Sequence, residues 1–280
     1  MSLPATLTKI VEYRGVCDLV AARVLTDNDI DGYTTGAVFA IAGVAEISKT
    51  ISQASETHYY DNIPAVVIDT GLGADTLTIN CSAIPLDVQA EIFNQTYLDS
   101  KGAMVEETGS ANYYAIGYKT QNSDNEDVYV WRYKGKFQLG DQVNATRDDS
   151  ASANGQTLTY TGIATTHKWV ETGKGAKALN VEVAQNKANV SSFFSTVTTP
   201  DSLAANTSYT LTITEAQNTD VTVTRRGVEL ATSATIYAGD VLTIMCTGGT
   251  ITVNGSSFVS GNTHTVNGAV TVVSTASSST

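Results

Sequence analysis

Three aspartates on alternate positions, Asp27, Asp29 and Asp31, are followed by Gly32 in the stretch DNDIDG. A calcium-binding loop of the EF-hand kind begins in this way, because alternate carboxylates supply oxygen ligands and the glycine allows a sharp turn. The twelfth position, where such a loop places a bidentate glutamate, is Val38. The flanking runs CDLVAARVL and YTTGAVFAIAG favour strands over the required helix pair. We therefore predict an acidic connection between two strands, with a calcium loop of another kind as the alternative.

Other residues that could carry catalysis are dispersed. His58, His167 and His264 are each isolated from any Ser or Cys motif, and neither GxSxG nor HExxH occurs. The Gly-x-Gly at 71–73 lacks a third glycine and a following helix, which favours a turn between two strands over a phosphate cradle. We predict no catalytic residue and no cofactor. An enzyme stays the less favoured alternative, because a triad converges only in space.

Composition favours a mainly β protein. Of the 280 residues, 42% are hydrophobic, which is enough for a core, and only 16% are charged. Thr, Ser and other uncharged residues take the remaining places, a profile that suits antiparallel sheets. The formal net charge is −12, whereas proteins that grip nucleic acid neutralise phosphates with Lys and Arg. An acidic surface instead suits nucleic acid that passes without sticking.

The cysteines and the lengths of the apolar runs bear on the cellular compartment in which the protein is made. Cys17, Cys81 and Cys246 are odd in number and widely separated, so we predict buried free thiols rather than disulfides or a zinc site. The sequence shows no signal-peptide run and no stretch near the roughly 18 apolar residues of a membrane span. We expect synthesis in the cytoplasm without membrane insertion.

The chain changes in character near residue 195, after which lysine is absent and Ser and Thr dominate. We predict a first domain over 1–195, a linker over 196–202 and a second domain over 203–280. The second consists of short alternating runs, with hairpin turns at Arg226-Gly227 and Asn254-Gly255. These features indicate a small all-β sandwich or open barrel.

Two elements of the first domain are distinctive. Residues 113–137 predict a hairpin around the polar loop QNSDNED, and we expect its aromatic residues to pack rather than form a stacking platform. AIPLDVQAEIFNQTYL predicts one helix of about ten residues, because proline and aspartate suit a helix start and apolar residues recur at helical spacing. The residues concerned are Tyr113, Tyr114, Tyr118, Tyr129, Trp131 and Tyr133 in the hairpin, and Pro85, Leu86, Asp87, Ala90 and Phe93 in the helix.

Residues 15–185 resemble the major tail proteins, or tail-tube proteins, of long-tailed non-contractile bacteriophages. AGVAEISKTISQASETHYYDNIP (42–64) is similar to the family's strand and extended crossing segment, and IPLDVQAEIF (84–93) to its helix entry. YYAIGYKTQNSDNEDVYVWRYKGKF (113–137) resembles its characteristic hairpin, and TLTYTGIATT (157–166) its closing strand. The C-terminal region resembles the β-rich, Ig-like modules that some of these proteins carry.

The resemblance implies an antiparallel β-sandwich or barrel of the tail-tube fold with one flanking α-helix, plus a small C-terminal all-β Ig-like domain. It also implies a structural role: a homo-oligomer of hexameric rings stacked into a tube around a tape-measure protein, ending on tail-end proteins. DNA would pass the lumen without specific binding. The expected location is the virion tail, assembled in the host cytoplasm.

Acidic and aromatic loop residues are the predicted assembly contacts. We expect the loop at 27–31 to be flexible and to become ordered when a neighbouring ring docks. The alternative function is a cell-surface or pilus-like β-rich adhesive protein, which the Thr-rich composition also permits. The predicted contacts are Asp27, Asp29, Asp31, Tyr59, Tyr60, Asp124, Glu126 and Asp127.

Overall fold

The computed structural model describes residues 12–60, 63–140 and 155–277 of the chain, and it is mainly β as predicted. The chain divides into two compact units. Residues 1–182 and 191–203 form the first, and residues 183–190 and 204–280 form the second. Within the described residues, no helix is long and apolar enough to cross a membrane.

A nine-stranded sheet organises the first unit. Seven of its strands follow the order β2-β1-β8-β9-β10-β5-β4, while β3 pairs with β1 and β11 pairs with β9. A separate small hairpin joins β6 to β7. The strands are β1 (Tyr13–Asn28), β2 (Gly32–Thr35), β3 (Phe39–Ala40), β4 (Val44–Tyr60), β5 (Ile63–Cys81), β6 (Thr96–Leu98), β7 (Ala103–Val105), β8 (Tyr114–Asn122), β9 (Asp127–Leu139), β10 (Gln156–Ile163) and β11 (Ala178–Glu182).

The predicted hairpin at 113–137 is confirmed as β8 and β9. Tyr114, Trp131 and Tyr133 are fully buried, which confirms packing as the role of most of the aromatic cluster, although Tyr113 is 39% exposed. Within the hairpin, Gly135 lies against Tyr160 so closely that a Cβ there would fall 2.3 Å from the ring. Residues 114–118 of β8 are all buried, and since successive side chains point to opposite faces, both faces of the hairpin are covered there.

The predicted helix is confirmed as α1 (Leu86–Phe93), which Pro85 precedes as N-cap. Its buried residues are Gln89, Ala90 and Ile92. Leu86, which the spacing placed on the packed face, is 47% exposed. The helix therefore packs through a face rotated from the predicted one. The Gln89 side chain lies on this packed face and donates a 2.8 Å hydrogen bond to the Ile84 carbonyl.

The segment 191–203 covers one face of the β8–β9 hairpin, on the side of Trp131 and Tyr133. Phe193 is 2% exposed, and its carbonyl accepts a 2.8 Å hydrogen bond from the Trp131 indole. The Tyr133 hydroxyl donates to the Thr198 carbonyl at 3.1 Å. The sequence placed a linker at 196–202, whereas these residues pack within the first unit. Their apolar members contact the sheet although Ser and Thr surround them in sequence.

Residues 63–81 form one uninterrupted strand, so the predicted glycine-rich turn between two strands is wrong. Gly73 lies in β5, where a Cβ would meet the Ser52 carbonyl oxygen at 2.8 Å. The absence of a side chain at Gly73 allows β4 to approach β5 closely, and the glycine does not form a turn. Within the stretch 42–64, expected to be a strand and a crossing segment, residues 44–60 form β4 and residues 63–64 begin β5.

The second unit is a sandwich of two sheets around its own apolar core, which is the first of the two predicted architectures. One sheet has the order β15-β12-β20-β17-β18, and the other β14-β13-β16-β19. The predicted turns at Arg226-Gly227 and Asn254-Gly255 are confirmed, and all four residues have positive φ. The strands are β12 (Ser208–Thr214), β13 (Asp220–Arg225), β14 (Val228–Glu229), β15 (Ser233–Tyr237), β16 (Val241–Thr247), β17 (Gly249–Val253), β18 (Ser256–Phe258), β19 (Thr263–Thr265) and β20 (Val270–Ala276).

The three cysteines are free thiols as predicted, but the predicted burial holds only for Cys81, because Cys17 is exposed and Cys246 is half-buried. Burial raises the pKa of the Cys81 thiol. Its Sγ lies 3.3 Å from the Gln156 carbonyl. This cysteine is a packed residue of the core of the first unit.

Candidate assembly surface

Strands β4 and β5 extend beyond the rest of the sheet as a two-stranded arm. Strand β10 pairs with β5 only from Asp75 to Cys81, while β4 and β5 stay paired as far as Tyr60 and Ile63. From Ile51 to Tyr60 the arm is ten residues long, or roughly 30 Å at the usual strand rise. Across 51–60 and 63–74, the β-ladder partner of each strand within the described residues is the other strand of the arm.

The arm carries exposed apolar side chains near its tip. Tyr59 and Ile63 are each 65% exposed, and Val66 is 47% exposed. Tyr60 pairs with Ile63 at the end of the ladder, and its side chain lies outside the described part of the molecule. Two of the predicted contacts, Tyr59 and Tyr60, thus lie together at the tip of the arm. A two-stranded ribbon that packs against nothing else is only marginally stable in water.

A buried ion cluster holds the root of the arm. Asp75 is 6% exposed and accepts 2.8 Å and 3.1 Å hydrogen bonds from Arg132 and Lys177. Lys177 also donates to the carbonyl of Gly73. Burial alone would raise the pKa of the Asp75 carboxyl, but the two cations outweigh burial and lower it. Three separate segments, including β5 and β9, are thereby tied at the point where β10 ends.

Asp27 anchors the acidic loop to the rest of the first unit. The Asp27 carboxylate pairs with Lys134 and accepts 2.9 Å hydrogen bonds from the backbone amides of Thr166 and His167. Its side chain is only 5% exposed. Burial opposes ionisation, yet these three donors together lower the Asp27 pKa. The carboxylate therefore fastens the loop to a segment 139 residues away.

The other loop carboxylates point to different partners. Asp29 accepts a 3.0 Å bond from the Lys168 amide, and Asp31 accepts a 3.2 Å bond from the Asn28 side chain. Asn28 itself accepts from the amides of Ile30 and Asp31, which closes an Asx turn. Within the described residues, no cluster of three or more His, Cys, Asp and Glu side chains is placed to hold a metal ion.

This loop differs from the sequence-based expectation in two respects. Contacts within its own chain hold it, whereas we expected docking of a neighbouring ring to order it. In addition, its outermost side chain is apolar, because Ile30 is 93% exposed between two exposed aspartates. Any contact that the loop makes would therefore centre on Ile30, a residue that the acidic pattern concealed.

The predicted contacts Asp124 and Glu126 lie in the turn between β8 and β9, and Asp127 is the first residue of β9. Asn122 accepts from the backbone amides of Asp124 and Glu126 at 3.0 Å and 2.9 Å, and it donates to the Glu126 carboxylate at 2.7 Å. Asp127 accepts a 2.9 Å bond from Gln121. The acidic residues of this turn thus shape the turn itself, and Asn122 organises it.

The protein-family models and the curated protein sequences contain no match to this chain. Among solved structures, it is similar to a chain of the cryo-EM structure of the anti-feeding prophage (AFP) baseplate, 6-fold symmetrised. That match has 13% identity and a TM-score of 0.27, and it covers 65% of this chain and 99% of the other. A likeness at this TM-score carries no argument about the function of this chain.

The structure separates the eight predicted contacts into three places: the arm tip, the loop at 27–31 and the turn at 122–127. Sequence reasoning missed Ile63, Val66 and Ile30, which are among the more exposed apolar residues of the first unit. A signal for Ile30 existed, since it is the one apolar residue in DNDIDG. No comparable signal marked the arm, because its length follows from where β10 stops pairing.

Acid should destabilise the first unit through Asp27 and Asp75. Both folded pKa values lie below that of unfolded aspartate, about 3.9. Their stabilisation is therefore complete above about pH 4–5 and is lost as pH falls through the folded values. We expect the free energy of unfolding to decrease below that pH. In Asp27→Asn, the slope of the free energy of unfolding against pH should be smaller. Urea unfolding followed by tryptophan fluorescence would measure it, because both tryptophans, at 131 and 169, lie in the first unit.

The control for this experiment is Asp31→Asn, which removes a carboxylate bonded to Asn28 at the exposed end of the loop. It should leave the acid slope close to that of the original chain. An unchanged slope in Asp27→Asn would contradict the role assigned to the Asp27 anchor.

Proposed function

We propose that this chain is the major tail subunit of a long-tailed, non-contractile bacteriophage. In this role, copies form hexameric rings that stack into the tail tube, with a tape-measure protein and tail-end proteins as further partners. The protein acts in the virion tail after assembly in the host cytoplasm, and it has no catalytic role. The observation that carries the proposal is the two-stranded arm with an apolar tip.

The arm supports assembly for a physical reason. Each of its strands leaves one row of backbone N–H and C=O groups without a ladder partner among the described residues, and unpaired edges are templates for pairing with another chain. Isolated two-stranded ribbons are marginally stable in water. Pairing or packing with a second copy would satisfy the edges and cover Tyr59, Ile63 and Val66 together.

The charge of the chain supports passage of DNA through such a tube. A net charge of −12 repels phosphate, so a lumen built from this chain would not hold DNA by counterion release. The resemblance of residues 15–185 to tail-tube proteins supplies the specific architecture of stacked hexameric rings.

Electron microscopy of the purified protein tests this function. We expect negative-stain images to show rings or tubes with a channel wide enough for duplex DNA. The double variant Tyr59→Ser/Ile63→Ser should strongly reduce these assemblies and increase the monomer fraction in light scattering. Tryptophan fluorescence should stay unchanged, because both substitutions lie at the arm tip.

A matched control is Val259→Ser, which changes a 67% exposed apolar residue in the second unit. It should assemble as the original chain does. If the arm variant assembled as well as the original chain, the arm tip would not be the assembly contact. A strictly monomeric chain that binds glycans would instead favour the adhesive alternative.

A further inference from the structure

Asn–Gly pairs are chemically vulnerable positions in a protein. Glycine lacks a side chain, so its backbone nitrogen can approach the carboxamide carbon of the preceding asparagine. The sequence contains three such pairs, at 154–155, 254–255 and 267–268. Asn154 lies outside the described residues. The other two belong to the second unit and differ sharply in their surroundings.

The first of these, Asn254, has both ends of its carboxamide held. Its Oδ1 accepts a 2.8 Å hydrogen bond from the Thr271 amide, and its Nδ2 donates a 3.2 Å bond to the Ala269 carbonyl. Rotating the carboxamide toward the Gly255 nitrogen would break both bonds. The two hydrogen bonds of the Asn254 side chain therefore protect the tight turn between β17 and β18 from attack by the Gly255 nitrogen.

Asn267 has no such restraint. It is exposed, and its carboxamide has no hydrogen-bond partner within the described residues. The neighbouring Gly268 has open space around it, because a Cβ there would meet no atom within 4 Å. The two residues form a bend between β19 and β20 rather than part of a ladder. Both the side chain and the backbone can reach the geometry of attack.

We infer that Asn267 is a site of spontaneous deamidation, whereas Asn254 is kept intact by its two hydrogen bonds. The Gly268 backbone nitrogen attacks the Asn267 Cγ, and the Cγ–Nδ2 bond breaks. The amide proton and Nδ2 leave as ammonia, and a five-membered succinimide remains. Water then adds to either ring carbonyl, which yields aspartate or isoaspartate. No electrons are transferred in either step.

The position of the bend gives this change a structural effect. Val266 and Val270, on either side of it, are each 1% exposed and belong to the core of the second unit. An isoaspartate link adds one carbon to the main chain between these two anchored residues. Strand β20 pairs with both β12 and β17, so the modification acts at the entry to a central strand and adds a negative charge there.

The test is to age the full chain at neutral pH and to measure deamidation by peptide mass spectrometry, with an isoaspartyl-specific label. We expect product at Asn267 to form several-fold faster than at Asn254. A parallel sample in denaturant should remove this difference, because both pairs then share the same local sequence chemistry. Equal rates in the folded chain, or a faster reaction at Asn254, would overturn the inference.

Two variants separate chemistry from folding. Gly268→Ala places a methyl group in open space, so the fold should persist while the attacking nitrogen is hindered and product at Asn267 falls several-fold. Asn267→Gln should abolish product at this position and leave Asn254 unchanged. Persistence of the original rate in Gly268→Ala would also overturn the inference. These outcomes do not depend on whether copies of the chain assemble into hexameric rings, so they are independent of the proposed function.

Discussion

Replacing Asp75 by alanine is expected to lower the free energy of unfolding of the first unit by about 3–5 kcal/mol, the usual cost of removing one partner from a buried ion pair. Arg132 and Lys177 have side chains only 7% and 18% exposed. Both would lose their carboxylate while staying largely out of water. Urea unfolding followed by tryptophan fluorescence measures the loss, since both tryptophans report on this unit.

An exposed ion pair in the same unit provides the comparison. Asp29 and Lys168 lie 3.7 Å apart with side chains 53% and 66% exposed. Asp29→Ala should therefore cost no more than about 1 kcal/mol. Similar losses for the two variants would show that the root of the arm is not held by a buried cluster.

Replacing Phe193 by alanine is expected to cost the first unit about 3–5 kcal/mol, the range for a large aromatic removed from a core. The ring packs against Tyr129 and Phe194 at centroid distances of 5.4 Å and 5.0 Å. The hydrogen bond from Trp131 reaches the backbone carbonyl of Phe193, so the substitution retains that acceptor. The loss should appear in the same fluorescence-detected unfolding experiment.

Val170→Ala is the matched control, because Val170 is 88% exposed in the same unit. Its effect should stay within about 0.5 kcal/mol, as for most surface substitutions. If Phe193→Ala also fell in that range, segment 191–203 would behave as a linker rather than as a covering for β8 and β9.

Local patterns in the sequence predicted the elements that depend on neighbouring residues. The β8–β9 hairpin, the helix after Pro85 and the two glycine turns of the second unit all combine a periodic apolar pattern with a boundary residue. The strands on either side of DNDIDG were predicted for the same reason. In each case the residues that determine the element lie within a short window.

Elements and contacts that depend on distant residues were not predicted. Gly73 indicates a turn when considered alone, and only the approach of Ser52 on the neighbouring strand explains a glycine inside β5. Phe193 stands among Ser and Thr, and its burial requires β8 and β9 to be present. The partners of Asp27 are more than a hundred residues away in the chain, so an alternating acidic pattern could not distinguish an anchor from a cation ligand.

The continuity of β4 and β5 has a mechanical consequence. The same two strands run from the arm tip into the large sheet, where β4 is the edge strand and β5 lies between β4 and β10. Ladder hydrogen bonds lie perpendicular to the strands, and a pull along the arm therefore loads many of them in shear at once. A tensile load applied at the tip would be shared across β5 and β10 instead of unzipping one bond at a time. The arm can therefore carry tension along its length.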